Sequence, residues 1–410
     1  MICSSCRLSR PPIDTIDRCC RAVGLLGILG VSTLTVSGGA HGQSLRFSGY
    51  YENTLQIDYT AASREQLLNA SKLRLDLSTS LTGGFEFRGN VNIIVNVGAL
   101  QRDLTAYLPE SVASYLHSIG APVIYSLDRT RTFLDNAYIS WSDGGVRMRI
   151  GRQQLSWGPA YSFNPTDLFH RKNLLDPTYE KEGVAALRLD YSWGSAGQAS
   201  VIAAPGEDIE GSGYAVRLAT HVTAIGYDVA ITGHYVTDST GIDPANLMSL
   251  RQRRWAAGLE LSGELLGLGT WLEGNYNWME TEADFARFVL GLDYTLDDGT
   301  YLMAEWLYNG RAEALPPYSV RRWLSNLYFG EPLGSGWILT GIRRNVSDLA
   351  VGSAYAFVSP DGSVMLNPRF DVSVGQNTDL VALGGVTLGR DDGAFTSGLV
   401  SLLVRMTVYF

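Results

Sequence analysis

From Lys72 the chain reads Lys72-Leu73-Arg74-Leu75-Asp76-Leu77-Ser78, with a charged or polar residue at every even position and leucine at every odd one. A helix would scatter the charges round its axis, whereas an extended chain puts alternate side chains on opposite faces, so this stretch is a strand with one polar and one apolar face. The next segment repeats the pattern. Phe85, Phe87, Val91, Ile93, Val95 and Val97 share one face, and Glu86, Arg88, Asn90, Asn92 and Asn96 share the other.

The same period predicts 18 strands, near 44–59, 68–81, 84–98, 131–143, 145–156, 183–193, 197–205, 211–222, 225–237, 251–263, 266–279, 283–295, 299–309, 336–346, 350–358, 363–374, 377–387 and 398–410. The count falls to 16 if the weaker segments 197–205 and 350–358 are not strands. Connections alternate between tight turns, such as Thr82-Gly83, Gly144 and Glu264-Leu265, and long loops, such as 99–130, 157–182, 238–250 and 310–335. Short turns at one end and long loops at the other, with an even strand number, are the pattern of a transmembrane antiparallel β-barrel with short periplasmic turns and long extracellular loops. Mean hydropathy is +0.01, and beyond the N-terminus no stretch approaches the roughly 18 apolar residues a spanning helix needs.

Tryptophan separates this reading from a soluble sandwich or propeller. Trp141, Trp193 and Trp271 fall at strand ends on the turn side, and Trp157, Trp255, Trp278, Trp306 and Trp337 fall near strand ends on the loop side, as two interfacial girdles require. No repeat of the propeller kind is present.

The N-terminus is expected to be a targeting segment. Arg7, Arg10, Arg18 and Arg21 precede an apolar stretch from Ala22 to Val36, and Ala40-His41-Gly42 is a small-residue cleavage site, so residues 1–42 read as a signal peptide and 43–410 as the barrel. Cys3, Cys6, Cys19 and Cys20 all lie before that cut, which excludes disulfide frameworks, thiolate zinc sites and thiol catalysis from the remainder. Removing Arg7, Arg10, Arg18, Arg21, Asp14 and Asp17 from the 32 basic and 41 acidic residues leaves a charge of −11, a poor match for nucleic acid.

The last strand places Leu402, Val404, Met406, Val408 and Phe410 on one face, alternating with Arg405, Thr407 and Tyr409. It resembles the outer-membrane β-signal that the barrel-assembly machinery reads, with Phe410 as its terminal aromatic. That resemblance implies the bacterial outer membrane as location, with the assembly machinery, membrane lipid and lipopolysaccharide as partners. The order Gly151-Arg152-Gln153, Trp157-Gly158, then Asn164-Pro165-Thr166-Asp167 and Phe169 resembles porin-like outer-membrane proteins of Gram-negative bacteria, loosely those of the alginate-export type. In many porins the third loop folds inward, and the resemblance implies the same here. Arg152, Asn164, Asp167, His170, Arg171 and Lys172 would then set the charge of a pore constriction. From the residues alone, Asn164 and Pro165 also fit the N-cap and first position of a short helix.

Inward positions carry both signs of charge: Arg74, Asp76, Glu86, Arg88, Arg188, Asp190, Glu260, Glu273, Arg287, Asp293, Glu305, Arg369, Asp371 and Arg405. Such charges need water or cross-strand partners. Two loops have helical spacing, Leu108, Val112, Tyr115, Leu116 and Ile119 in the second and Val320, Trp323, Leu324, Leu327 and Tyr328 in the seventh. Of the histidines, His117, His170, His221 and His234 have no local triad partner, and no nucleophile-elbow, zincin or nucleotide-loop motif occurs, so neither catalysis nor a metal or cofactor is expected. The expected function is a porin-like channel for small polar or carbohydrate-like solutes. The alternatives are a transporter of hydrophobic or amphiphilic molecules and a structural or adhesion barrel with a closed lumen.

Overall fold

A computed structural model describes residues 45–410 except 61–64, 170–175, 177–178, 195, 207–210, 244–247 and 397. The expected signal peptide and all four cysteines therefore lie outside the described residues.

The chain forms β1 (Leu45–Tyr59), β2 (Gln66–Ser80), β3 (Phe85–Gly98), a short ribbon of β4 (Gln101–Asp103) and β5 (Ile124–Ser126), β6 (Thr130–Asp143), β7 (Val146–Gln153), β8 (Val184–Trp193), β9 (Gly197–Ala204) and β10 (Gly213–Val222). It continues through β11 (Tyr227–Ile242), β12 (Ser249–Leu265), β13 (Leu268–Met279), β14 (Phe285–Thr295), β15 (Tyr301–Asn309), β16 (Gly336–Ser347), β17 (Ala350–Val358), β18 (Val364–Gly375), β19 (Thr378–Leu388) and β20 (Val400–Tyr409). Apart from the ribbon, these make one 18-stranded antiparallel sheet in which each strand pairs with the next. The sheet closes on itself where β1 meets β20, from Tyr50 opposite Tyr409 to Tyr59 opposite Val400. The segments behind the 16-strand alternative are both paired, β9 with β8 and β10 and β17 with β16 and β18.

Closure removes the sheet edges, which hydrocarbon could not satisfy. The apolar rows face outward, where Ile231, Val216, Leu290 and Leu402 are exposed. Aromatic groups mark both ends of these rows. Trp141 lies beside Phe85 and Trp193 beside Tyr191 at the turn end, and Trp255, Trp278 and Trp306 are exposed at the loop end among Tyr235, Tyr276 and Phe288. Three of the expected girdle tryptophans point inward instead. Trp271 shares its row with the buried Glu273 and donates its indole N–H to Glu305 Oε1 at 2.9 Å. Trp157 and Trp337 are buried, the first beside His234 and the second against Phe163 and Phe395.

Both loop helices form, as α1 (Glu110–Ser118) and α2 (Val320–Phe329). Ser319 accepts from the Arg322 N–H at the start of α2, and Gly330 ends it at a φ of 63°. Their apolar stripes turn into the lumen: Val112 and Leu116 of α1 and Trp323 and Leu324 of α2 join a buried cluster with Val289, Met303, Leu339 and Phe357 of the wall. Ile119, expected on the α1 stripe, follows the helix and is exposed. Burying such a side chain contributes roughly 1.5–3 kcal/mol, enough to hold two short helices that would not be stable alone.

Candidate functional site: the third loop across the lumen

The third long loop, 154–183, leaves β7 and enters the barrel rather than standing above it. Small residues on the inward rows make the space. Leu155 and Trp157 pack against Ala186, Ile202, Ala204 and Ala215, and the Trp157 ring lies 5.4 Å from that of His234. Gly158 then passes so close to the wall that a Cβ would sit 2.2 Å from Glu273 Oε2, and its φ of +91° also favours glycine.

Beyond Gly158 the loop backbone turns its N–H groups toward wall carboxylates. Glu273 Oε2 accepts from the Ala160 N–H at 3.1 Å and from Asn164 Nδ2 at 3.0 Å, while Oε1 accepts from both the N–H and the hydroxyl of Thr166 at 2.8 Å. Glu305 accepts from the N–H groups of Tyr161 and Ser162 as well as from Trp271. Glu260 lies directly opposite Glu273 in the ladder and shares the single Thr166 hydroxyl proton with it, and Arg217 at 2.7 Å balances its charge. Tyr161 stacks on Tyr355 with centroids 5.3 Å apart, and Phe163 meets Phe357 and Trp337.

The returning half uses the opposite chemistry on another part of the wall. Asp176 accepts from Arg369 at 2.9 Å and Arg405 at 3.0 Å. Glu180 takes Lys72 at 2.9 Å, Arg74 at 3.0 Å and the Tyr50 hydroxyl at 2.8 Å. Burial alone would raise the Glu180 carboxyl, but Lys72, the Tyr50 hydroxyl and Arg74 together hold it below the usual glutamate range. Tyr179 donates to Glu52 at 2.8 Å under the Arg405 guanidinium, and the Gly183 N–H reaches Asp135 at 2.7 Å. One loop is thus fastened to β13 and β15 by its first half and to β1, β2, β18 and β20 by its second.

The residues expected at a constriction divide. Asn164 sits in this contact, but it caps no helix: residues 164–167 form a single turn, closed by the Asp167 N–H to the Asn164 carbonyl at 3.1 Å. Asp167 is buried and paired with Lys181 at 2.8 Å, so it presents no free charge. The ladder sets Arg152 opposite Ala137 and Ala185, in the outward row of Ile150 and Leu187, because the period-two register puts the inward positions at Arg149 and Gln153. That placement contradicts a lumenal role for Arg152. His170, Arg171 and Lys172 lie outside the described residues.

The expected lumenal charges are paired. Arg74 bonds Asp76 at 2.9 Å, Arg88 bonds Glu86 at 2.8 Å, Arg188 bonds Asp190 at 2.8 Å, Arg287 bonds Glu331 at 3.1 Å, and Asp293 accepts from the Tyr301 hydroxyl at 2.8 Å. The anchoring roles of Glu273, Glu305, Asp176 and Glu180 were not visible in the sequence, although Glu260, Glu273 and Glu305 stood out as inward acids. Below the loop, toward the turn end, the lumen opens into a recess of about 440 Å³ beneath Ser156 to Pro159, walled by Arg188, Arg217 and Glu260. A second recess of about 580 Å³ lies beside the β6–β7 turn, with Arg147, Arg149 and Asp190.

No protein-family model matches the chain, and no curated protein sequence does. Solved structures do resemble it. Acinetobacter baumannii OccAB1 superposes with a TM-score of 0.57 at 9% identity, covering 89% of this chain and 96% of that one. Pseudomonas aeruginosa OccK9 (OpdG) gives 0.56 at 10% identity over 89% and 98%, and OccK11 (OpdR) from the same organism gives 0.55 at 10% over 89% and 96%. At these identities the likeness is one of fold, and the fold is the 18-stranded antiparallel β-barrel of bacterial outer-membrane porins.

Proposed function

We propose that this protein is a passive channel of the bacterial outer membrane for small polar or carbohydrate-like solutes, narrowed by its third loop. The observation that carries the reading is that residues 158–166 bind an acid-rich stretch of wall inside the lumen while Asp176 and Glu180 bind a base-rich one. A loop held only at its base would swing with solvent; one held at Glu273, Glu305, Lys72 and Arg369 keeps a fixed aperture. Among the described residues, the two recesses set four cations, Arg147, Arg149, Arg188 and Arg217, against four acids, Asp143, Asp190, Asp228 and Glu260, so these residues create no strong field of one sign. That arrangement suits polar solutes of either charge. Assembly follows the same reading, with Phe410 as the signal for the barrel-assembly machinery and lipopolysaccharide around the outer rim.

Single-channel recording in a planar bilayer tests this. The refolded protein is expected to give steps of stable size with a reversal potential near zero in a salt gradient. A variant lacking 159–179 is expected to give larger steps. A barrel that inserts without conducting, in both forms, would sink the channel reading and favour the closed-lumen alternative.

A further inference from the structure

Two inward aromatic rings lie along the wall below the third loop, and glycine makes room for both. Trp271 of β13 leans across Gly291 of β14, where a Cβ would overlap its ring, and reaches Glu305 of β15 with its indole N–H. Tyr355 of β17 leans the other way across Gly341 of β16, where a Cβ would lie 2.6 Å from its ring and 2.9 Å from Met303 of β15. The two rings thus converge on β15 from opposite sides. Tyr301 is the next inward residue of β15 toward the turn end, and Tyr161 of the loop stacks on Tyr355. All four aromatic side chains are only half-buried, so part of each meets the lumen.

The edges of this aromatic shelf are polar and carry both signs of charge. Tyr301 donates its hydroxyl to Asp293 at 2.8 Å and stands opposite Arg343 in the ladder. Ser262 lies directly opposite Trp271 and also walls the recess of about 440 Å³, which sets Arg188 and Arg217 against Asp228 and Glu260. The shelf therefore begins where that recess ends. An apolar floor with donors and acceptors along its rim is how a small-molecule site fixes a ligand that has one apolar face.

We propose that this shelf is a subsite for a neutral pyranose sugar, stacked on Trp271 with its hydroxyl rim toward Ser262 and the recess. The proposal deepens the channel reading and rests on it, since the sugar arrives through the lumen. A pyranose presents axial C–H bonds on its face, which suit an aromatic ring, and hydroxyls on its rim, each of which donates and accepts. Guanidinium and carboxylate side by side offer such a rim both kinds of partner. A carboxylate solute would find Arg188 and Arg217 already holding Asp190 and Glu260, and an alkyl chain would strip water from these charges without replacing it.

Saturation-transfer NMR on the refolded full chain, in a detergent without a sugar head group, tests the subsite with methyl β-glucopyranoside as the probe. Irradiation of the aromatic protons of the protein is expected to saturate the face that carries three axial hydrogens more than the opposite face. Trp271→Leu is expected to lower that transfer by about two- to ten-fold, and Trp271→Phe, which keeps a ring but not the indole N–H, is expected to retain most of it. Heat-dependent gel migration reports whether each variant is folded. If neither folds, the face preference in the parent still decides. Equal transfer to both faces, unchanged transfer in folded Trp271→Leu, or displacement of the glucoside by an equal concentration of benzoate would each overturn the proposal. The transfer needs no current, so a barrel that conducts without it loses the subsite and keeps the channel reading.

Discussion

Replacing Glu273 by alanine removes the acceptor for the N–H groups of Ala160 and Thr166, the Asn164 amide and the Thr166 hydroxyl. The hydroxyl keeps Glu260, so three donors lose their carboxylate. Hydrogen bonds to a charged group are worth about 1.5–3 kcal/mol each, and water entering from the lumen recovers part of that, leaving a loss of about 1 kcal/mol per donor. Three donors then weaken the inward position by about 3 kcal/mol, roughly a 100-fold shift in the ratio of docked to undocked loop. Glu305, Tyr355 and Asp176 still hold the loop, so docking is expected to become intermittent rather than to fail. The assay is single-channel recording of Glu273→Ala and Glu273→Gln, with Glu305→Ala added in a third variant. Open-level noise and brief large steps are expected in Glu273→Ala, longer ones in the double variant, and an intermediate effect from glutamine, whose amide N–H₂ meets donors on one side. If the double variant inserts folded and conducts with the step size and noise of the parent, these carboxylates do not position the loop.

Three other outcomes follow from the same contacts. Glu180 is held below the usual glutamate range, so its contribution is fully present above that range and is lost as pH falls through its lowered value; protease cleavage within 176–183 is expected to rise at acid pH, and Glu180→Gln is expected to flatten that dependence. Single-tryptophan variants in brominated lipid are expected to be quenched at Trp255, Trp278 and Trp306 and spared at Trp271 and Trp337, and strong quenching at Trp271 would contradict its inward placement. Removing Phe410 deletes the paired hydrogen bonds between its backbone and Gly49, both 3.0 Å, at the closing seam. Accumulation in the outer membrane of cells is expected to drop several-fold, while detergent refolding of the same chain still gives a heat-modifiable barrel.

The strands were legible because the signal is local. A period of two repeats within each segment, and Gly-containing turns separate the segments, so β9 and β17 emerged beside stronger strands. The helices were legible for the same reason, as an apolar spacing of three and four residues. Tryptophan was misread because one residue type serves two places. Trp271 falls two residues before the inward Glu273, so row parity alone placed it in the lumen; Trp337-Ile338-Leu339 is apolar on both faces because the loop cluster covers the lumen there. Arg152 shows the converse, since its register follows from Gln153 being inward. The route of the third loop had no local signal. Its fastenings join residues over 100 positions apart, such as Thr166 with Glu273 and Lys72 with Glu180, and only closure of the barrel brings them together.

The two halves of that loop also show why it crosses the lumen instead of lining one side. A peptide segment inside a barrel must satisfy its N–H groups, and Glu273 and Glu305 do so where the loop itself carries no charge, between Gly158 and Thr166. These carboxylates have few cations in their own rows, so the loop donors stabilise them in turn. Across the lumen the wall presents Lys72, Arg74, Arg369 and Arg405, and here the loop brings Asp176 and Glu180. Reversing the loop would set its acids against Glu273 and its bare N–H groups against guanidinium, leaving both ends unpaired. Wall polarity therefore fixes the direction of the loop as well as its position, and a single charge reversal on the wall changes more than one contact.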